Sequence, residues 1–338
     1  MPKNILVLPG DGIGPEVTSS AVSILEQVAG DRIEIIYGDI GQSAFIKTSE
    51  YLPAETVDMA TDADSIITGA VIDPLSDKSY RNPIRVLKKQ LSLYSVVKKF
   101  SSLGKNIGIG DTDLILINGN PDALLNVEEA ECLDGVDIHK FISAVSCRKL
   151  FRKTVQISSY MGRSSVTCAH RKEMFPVADG MFVDMFYKEL AGFGFALNDM
   201  DVDAVASETV KDPSSKDVIV STDIYGTVLS GMAAGIIGGS HLTPVGNIGD
   251  SSGLFEPMHG PNPKTAESGK VNPTSAILSA AMALDNMGMS PEAEKIRKAV
   301  KHVYSLGNIT PDVGGTATAN EFTDCVIGAL KTVSEEQK

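Results

Sequence analysis

Short apolar runs alternate with stretches of helical periodicity along this chain, and that alternation limits what it can fold into more than any other feature. Asn4 to Leu8 (NILVL) reads as a buried strand and feeds the turn PGDGIGPEV. Gly10, Gly12 and Gly14 make that turn tight, and Pro15 suits a first helical turn, where its missing N–H costs nothing. The helix that follows carries Val17, Ala21, Leu25 and Val28 on one face. Strands at Ile33 to Tyr37 and Ser65 to Val71, with a helical stretch between them, repeat the pattern. Such a chain is α/β. Its first turn is not a Rossmann fingerprint, because Pro15 stands where GxGxxG requires glycine, and the turn reads as structural.

A chain of 338 residues, 43% hydrophobic, is too long for one ordinary core, so two lobes are expected. Its net charge of -13 argues against a nucleic-acid or anionic membrane surface but leaves room for a small cationic pocket. Cys132, Cys147, Cys168 and Cys325 form no CxxC and no paired His spacing, so neither zinc nor a disulfide framework is indicated and a reducing cytoplasm is expected. The sequence shows no signal-like leader and no apolar run of ~18 residues, so a secreted or membrane-spanning protein is not expected.

Asn82 to Lys99 is a cationic segment holding Arg85, Lys88, Lys89, Lys98 and Lys99, read as a solvated helix face or as a partner for a polycarboxylate. Asn106 to Asn118 reads as one or two strands, Asn120 to Gly135 as acidic and irregular, and Ile142 to Val155 as a helix. Ser164 to Ala169 is a strand ending at His170, Arg171 and Lys172. After a short acidic segment with Asp201 and Asp203 comes a buried strand, Asp217 to Thr222, then a polar turn at Asp223 and a helix from near Tyr225. A strand end feeding a helix start places side chains over a crevice. Beyond the Gly-rich run Gly231 to Gly253, His259-Gly260, Pro261, Pro263 and Asn272-Pro273 make a rigid loop suited to clasping a planar ring. Thr274 caps a helix with Ile277, Ala281 and Leu284 inward, and helices at Pro291 to Tyr304 and Ala319 to Val333 close the chain.

NILVLPGDGIGPEV, LSLY at Leu91 to Tyr94, SSVTCAH, VDAVA, DVIVSTDIYG, LFEPMHG and KVNPTSAILSAAMAL occur in that order over nearly the whole chain. They resemble the β-decarboxylating dehydrogenases, the isocitrate and isopropylmalate dehydrogenase family. The resemblance implies an isopropylmalate dehydrogenase-like α/β fold: two lobes sharing a mixed sheet, a non-Rossmann nucleotide site and a homodimer. It places the large lobe, with the nucleotide loops, at residues 1–95 plus 241–338. The small lobe, residues 96–240, would hold the dimer contact and the remnant substrate and metal site.

The chemistry implied by the resemblance is oxidation of a 2-hydroxy acid by hydride transfer to a nicotinamide, then loss of its β-carboxylate, with a divalent metal held by oxygen ligands. The family's three metal aspartates correspond to Asp203, Thr227 and Gly231, so Asp203 alone survives and Mg or Mn is not expected. Two substrate arginines fall on Lys88 and Lys98, which keep charge but lose the bidentate fork, and a third falls on Asn118. The family's substrate serine falls near Asn82 and its proton-donating tyrosine on Leu125. Its lysine base falls on Arg171, whose guanidinium stays protonated. Asp203 and Arg171 are therefore remnants of catalytic positions, while Lys88, Lys98 and Arg171 remain as an anion-binding set.

On the cofactor side, Gly69 to Pro74, Glu256, His259, Gly260 and Asn272 match positions that hold the nucleotide. Lys264 matches the position where NAD users carry an acid and NADP users a lysine, so NADP or NAD is implied and the charge favours NADP, although Thr265 replaces the tyrosine that usually follows. The competing reading keeps the His-Gly turn and Asn-Pro corner only to fold the loop.

Three functions stay open. One is a catalytically silent homologue, a regulatory partner of an active paralogue that senses a nucleotide, small anion or polycarboxylate. Another is an active NAD(P)-dependent decarboxylating oxidoreductase with a non-standard site, and a third is a homodimeric interaction protein. Joint loss of metal ligands, base and acid favours the first.

Overall fold

The apolar runs become strands buried between helices. In the computed structural model, which describes residues 2–74, 80–119 and 127–335, these are β1 (Lys3–Leu8), β2 (Ile33–Tyr37), β3 (Ser65–Thr68), β4 (Ser95–Ser101) and β5 (Asp113–Gly119). They continue with β6 (Val127–Cys132), β7 (Gly135–Lys140), β8 (Ser165–His170), β9 (Ala196–Asp201), β10 (Val218–Ser221), β11 (Pro244–Ile248) and β12 (Gly253–Pro257). Among the described residues ten of these form one sheet in the order β2-β1-β3-β12-β11-β4-β5-β10-β8-β9, while β6 and β7 pair separately. The sheet is mixed: β11 and β4 run antiparallel to each other and to their outer neighbours, and the flanking groups are parallel. Strands from the two chain ends build one half of the sheet and strands from the middle build the other.

Several local expectations change. The strand expected to reach Val71 ends at Thr68, because Gly69 packs where a Cβ would lie 2.1 Å from the Pro9 carbonyl oxygen. The cationic segment divides into a helix, Pro83–Gln90, and β4, so Lys98 and Lys99 sit on a strand. Residues 120–126, including Leu125, lie outside the described residues; beyond them the acidic stretch read as irregular forms the β6–β7 ribbon. The Gly-rich run contains β11. The helix expected near Tyr225 begins at Asp223 and runs to Ile237, and Asp203 lies in the first turn of the helix Val202–Lys211.

Alternation along β4 assigns the faces. Lys98 points toward the helix Asp223–Ile237, where it meets Ser230. Its neighbour Lys99 points the other way, toward the helix Ser290–Ser305, whose Glu294 and Arg297 line the same cavity. The core beneath is aliphatic: Ile277, Ala281 and Leu284 of the helix Thr274–Asn286 are fully buried, each large side chain contributing about 2 kcal/mol of burial. Thr274 does not cap that helix as expected; Asn272 Oδ1 accepts the Thr274 N–H at 3.0 Å, and the Thr274 hydroxyl meets the Tyr304 hydroxyl at 2.8 Å. Among the described residues no helix is long and apolar enough to cross a membrane.

Candidate functional site

Register gathers the first group of side chains. Lys98 on β4 stands opposite Val245 on β11, which stands opposite Glu256 on β12, and Asn247 is two residues from Val245. Lys98, Asn247 and Glu256 therefore share one face. Glu256 Oε1 accepts from Lys88 Nζ at 2.6 Å and from Asn247 Nδ2 at 2.8 Å. Lys98 Nζ, buried at 9% exposure, donates to Ser230 Oγ at 2.7 Å, and Ser230 in turn donates to the Gly226 carbonyl. Burial lowers the Lys98 pKa to about 8; Glu256 opposes that shift and Lys88 adds to it. At Lys88 and Lys98 the cationic segment is thus no solvated face: both ammonium groups are engaged within the fold, by Glu256 and by Ser230.

Asn118 belongs to the same face, two residues along β5 from Leu116, the partner of Lys98. Its Nδ2 donates to the Gly119 carbonyl and its buried Oδ1 has no hydrogen-bond partner. The helix Asp223–Ile237 lies so close that a Cβ on Gly226 would fall 2.4 Å from Asn118 Cβ. No large side chain fits between them.

Arg171 follows β8, three strands from β4, which is about 14 Å of lateral distance. One protomer therefore does not bring Arg171 together with Lys88 and Lys98, so the anion set expected from the sequence is divided. Arg171 Nη1 instead donates to Asp203 Oδ1 at 2.6 Å, an exposed pair in which each partner's pKa shifts toward its charged form, chiefly through that bond. Asp179, which the sequence reading passed over, fixes the backbone there: its buried carboxylate accepts from the Arg171 N–H at 2.7 Å and the Tyr225 hydroxyl at 3.1 Å. A lone acid inside an amphipathic helix offers no signal for that role.

The donors do not fit a divalent cation within the protomer. The Thr227 hydroxyl turns back to the Asp223 carbonyl at 2.9 Å, and Gly231 has no side chain to offer. Neighbouring acids are engaged as well: Asp223 with Lys140 at 2.6 Å and Glu208 with Lys216 at 2.6 Å. Among the described residues no group of three or more His, Cys, Asp or Glu side chains is arranged to hold a metal ion.

The loops expected to hold a nucleotide form one knot. Asp11 N–H donates to the Ala70 carbonyl and Ile13 N–H to the Pro261 carbonyl, both at 2.8 Å. The Asp11 carboxylate accepts from the backbone N–H groups of Gln42, Ser43 and Ile72, so it caps the helix Gln42–Thr48 from a distance. At Gly12, where φ is +60°, a Cβ would meet the Pro261 carbonyl oxygen at 2.0 Å. The glycine turn is structural, as the sequence indicates, and it anchors the His259–Pro261 segment. His259 Nδ1 faces the Gly260 carbonyl at 3.1 Å, its Nε2 is buried without a partner, and burial lowers its pKa.

Asn272 is a structural corner, since its Nδ2 donates to Asp312 Oδ2 at 3.1 Å and to the Tyr304 hydroxyl at 3.3 Å. Asp312 also pairs with His241 at 3.0 Å, and neither residue was singled out in the sequence; a short TPD turn and an isolated His carry no ligand pattern. Lys264 is exposed and has no ion pair among the described residues. The orphaned ring nitrogen of His259 and the unpaired cation of Lys264, carried on one loop, have the chemistry that suits a polar, phosphate-bearing ligand such as NAD(P).

Comparison with known proteins agrees with the fold and the family resemblance. Residues 4–326 match the family model described as isocitrate/isopropylmalate dehydrogenase. The chain is 35% identical over 338 residues to an isocitrate/homoisocitrate dehydrogenase of Thermus thermophilus, covering 98% of this chain and 100% of that protein. It is 32% identical over 340 residues to a homoisocitrate dehydrogenase of Methanocaldococcus jannaschii, with 97% of each covered. A crystal structure of a beta-decarboxylating dehydrogenase from Thermococcus kodakarensis superposes with a TM-score of 0.90 at 29% identity, over 98% of this chain and 97% of that one.

Proposed function

Since the chain belongs to the isocitrate/isopropylmalate dehydrogenase family, we propose that it is a catalytically silent member that keeps NAD(P) and anion binding but not metal-dependent oxidative decarboxylation. The observation that carries this reading is the Arg171–Asp203 pair at 2.6 Å. A permanently protonated guanidinium cannot take a proton from a substrate hydroxyl, and here it also occupies the one carboxylate left for a metal. Apolar side chains exposed on the β6–β7 ribbon (Leu133, Ile138) and the helix Asp223–Ile237 (Ile224, Val228) support assembly as a homodimer. The role that suits such a protein is regulation of an active relative.

The test is turnover by the purified protein with isocitrate, homoisocitrate and isopropylmalate, each with NAD or NADP and with Mg²⁺ or Mn²⁺. No combination is expected to approach the ~10 s⁻¹ of an ordinary enzyme, while NADP is expected to raise the melting temperature. Steady metal-dependent turnover sinks the silent reading.

A second reading rests on Lys98, which favours an active oxidoreductase on a 2-hydroxy acid with a rearranged site. A buried amine with pKa about 8 accepts a proton at mildly alkaline pH, as a general base must. Turnover would then be independent of added metal, rise with pH toward 8 and vanish in Lys98→Met.

A further inference from the structure

β4 turns Lys98 to one face of the sheet and its neighbour Val97 to the other. On that second face Val97, Gly246 and Phe255 stand in one row across β4, β11 and β12. A Cβ on Gly246 would lie 3.0 Å from the Phe255 ring, so the ring occupies space that any side chain at 246 would take. Over this row the helices Ala144–Tyr160 and Thr274–Asn286 flank a cavity of about 230 Å³. Its walls are mainly apolar: Val97, Phe255 and Met282 are buried, and Ile157 and Ile248 complete them. Lys153 and Asp285 are the charged residues that line it.

The two charges differ in how they are matched. Asp285 is committed, since Arg297 pairs with it and the Tyr160 hydroxyl donates to it at 3.1 Å. Lys153 is half-buried and has no ion pair among the described residues; its ammonium stands 5.9 Å from the centre of the Tyr94 ring. Burial lowers its pKa and Asp250 counters. Asp250, however, already accepts from the Tyr94 hydroxyl at 2.7 Å and from Lys149 at 3.5 Å. On the same helix Arg148 and Arg152 share Glu189, at 2.9 and 3.4 Å. The four cations Arg148, Lys149, Arg152 and Lys153 thus have two acids between them among the described residues, and Lys153 is left beside the cavity without one of its own.

We propose that this cavity binds a small apolar carboxylate, its hydrocarbon against Phe255 and Met282 and its carboxylate at Lys153. An apolar cavity of roughly 150 Å³ admits benzene, so this one has room for a branched acid of about six carbons. The mainly apolar lining supplies binding through burial, and a single unmatched ammonium at the edge fixes which end of the ligand points outward. The sheet separates such a ligand from Lys98. It touches one helix from the middle of the chain and one from the last third, so its binding braces the two against each other.

Calorimetry with isocaproate, its neutral amide isocaproamide and acetate tests this, using the parent, Lys153→Met, Ile157→Trp and Lys98→Met. Methionine keeps the apolar stem of lysine, and tryptophan at the half-buried Ile157 fills the cavity from its wall. The parent is expected to bind isocaproate more tightly than the amide and to show no binding of acetate, which lacks the hydrocarbon. Lys153→Met should bind isocaproate about tenfold more weakly, the loss expected of one charge-assisted hydrogen bond, and the amide as before. Ile157→Trp should bind neither, and Lys98→Met, on the far face of the sheet, should match the parent. Parent protein that binds neither acid nor amide, or that binds acetate as well as isocaproate, overturns the proposal. So does isocaproate affinity kept in Lys153→Met or lost in Lys98→Met. Should Ile157→Trp fold poorly, the comparison of acid with amide in the parent and in Lys153→Met decides alone.

Discussion

Arg171 and Asp203 hold each other at 2.6 Å at the surface, three strands away from the buried Lys98. The distance separates two things that a linear reading combines: charge that remains available to a ligand and charge that the protein has already neutralised.

The metal positions make the first prediction. Asp203 alone supplies too few oxygens, so calorimetry of the parent should detect no Mg²⁺ or Mn²⁺ binding tighter than roughly millimolar. A Cβ on Gly231 meets nothing within 4 Å, and Thr227 is exposed, so Thr227→Asp/Gly231→Asp should fold and bind Mn²⁺ more tightly than the parent. Equal metal binding by the two proteins contradicts the assignment of these positions.

Lys98 makes stability depend on alkaline pH. Its folded pKa, lowered to about 8, lies below the ordinary 10.5, so between these values the unfolded chain binds the extra proton and stability rises with pH. The penalty for burying the charge is fully present below pH 8 and is relieved as pH climbs toward 10.5. Urea titrations of Lys98→Met against the parent should therefore show an advantage for the variant that shrinks by on the order of 3 kcal/mol across that window. A pH-independent difference would mean that the amine stays charged in the fold.

Gly226→Ala should destabilise the protein by about 1–3 kcal/mol, because the new methyl collides with Asn118 Cβ at 2.4 Å and pushes the helix Asp223–Ile237 off β5. Asn118→Gly in the same chain should recover part of the loss. Chemical denaturation of the single and double variants decides it.

Lys264 should govern cofactor choice. If, as proposed, its exposed ammonium meets the 2′-phosphate, NADP should raise the melting temperature more than NAD does, and Lys264→Asp should reverse the order. An unchanged order in the variant removes Lys264 from the site.

The sequence was most informative where periodicity and turn chemistry are local. Val17, Ala21 and Leu25, and later Ile277, Ala281 and Leu284, mark helix faces that are fully buried as their spacing implies. Lys98 was legible as a charge but not as a strand residue, since VVKKF alternates too briefly to outweigh the lysines beside it. β6 and β7 were hidden for a related reason: Glu128, Glu129 and Glu131 leave no apolar face, and the ribbon's exposure removes the alternation that betrays a half-buried strand. The separation of Arg171 from Lys98 depends on the order of strands in the sheet, which no local pattern encodes. Asp179 and Asp312 escaped because each acts through tertiary hydrogen bonds to residues distant in sequence.

The bond from Ile13 N–H to the Pro261 carbonyl also orders events during synthesis. Pro261 leaves the ribosome about 250 residues after Ile13, a delay of at least on the order of ten seconds at ordinary translation rates. Until then β3, which lies beside the opening strand, lacks its other neighbour β12, and the glycine turn lacks the carbonyl against which it closes. The nascent N-terminal half must therefore wait with an unpaired edge, and the last third of the chain completes the first turn.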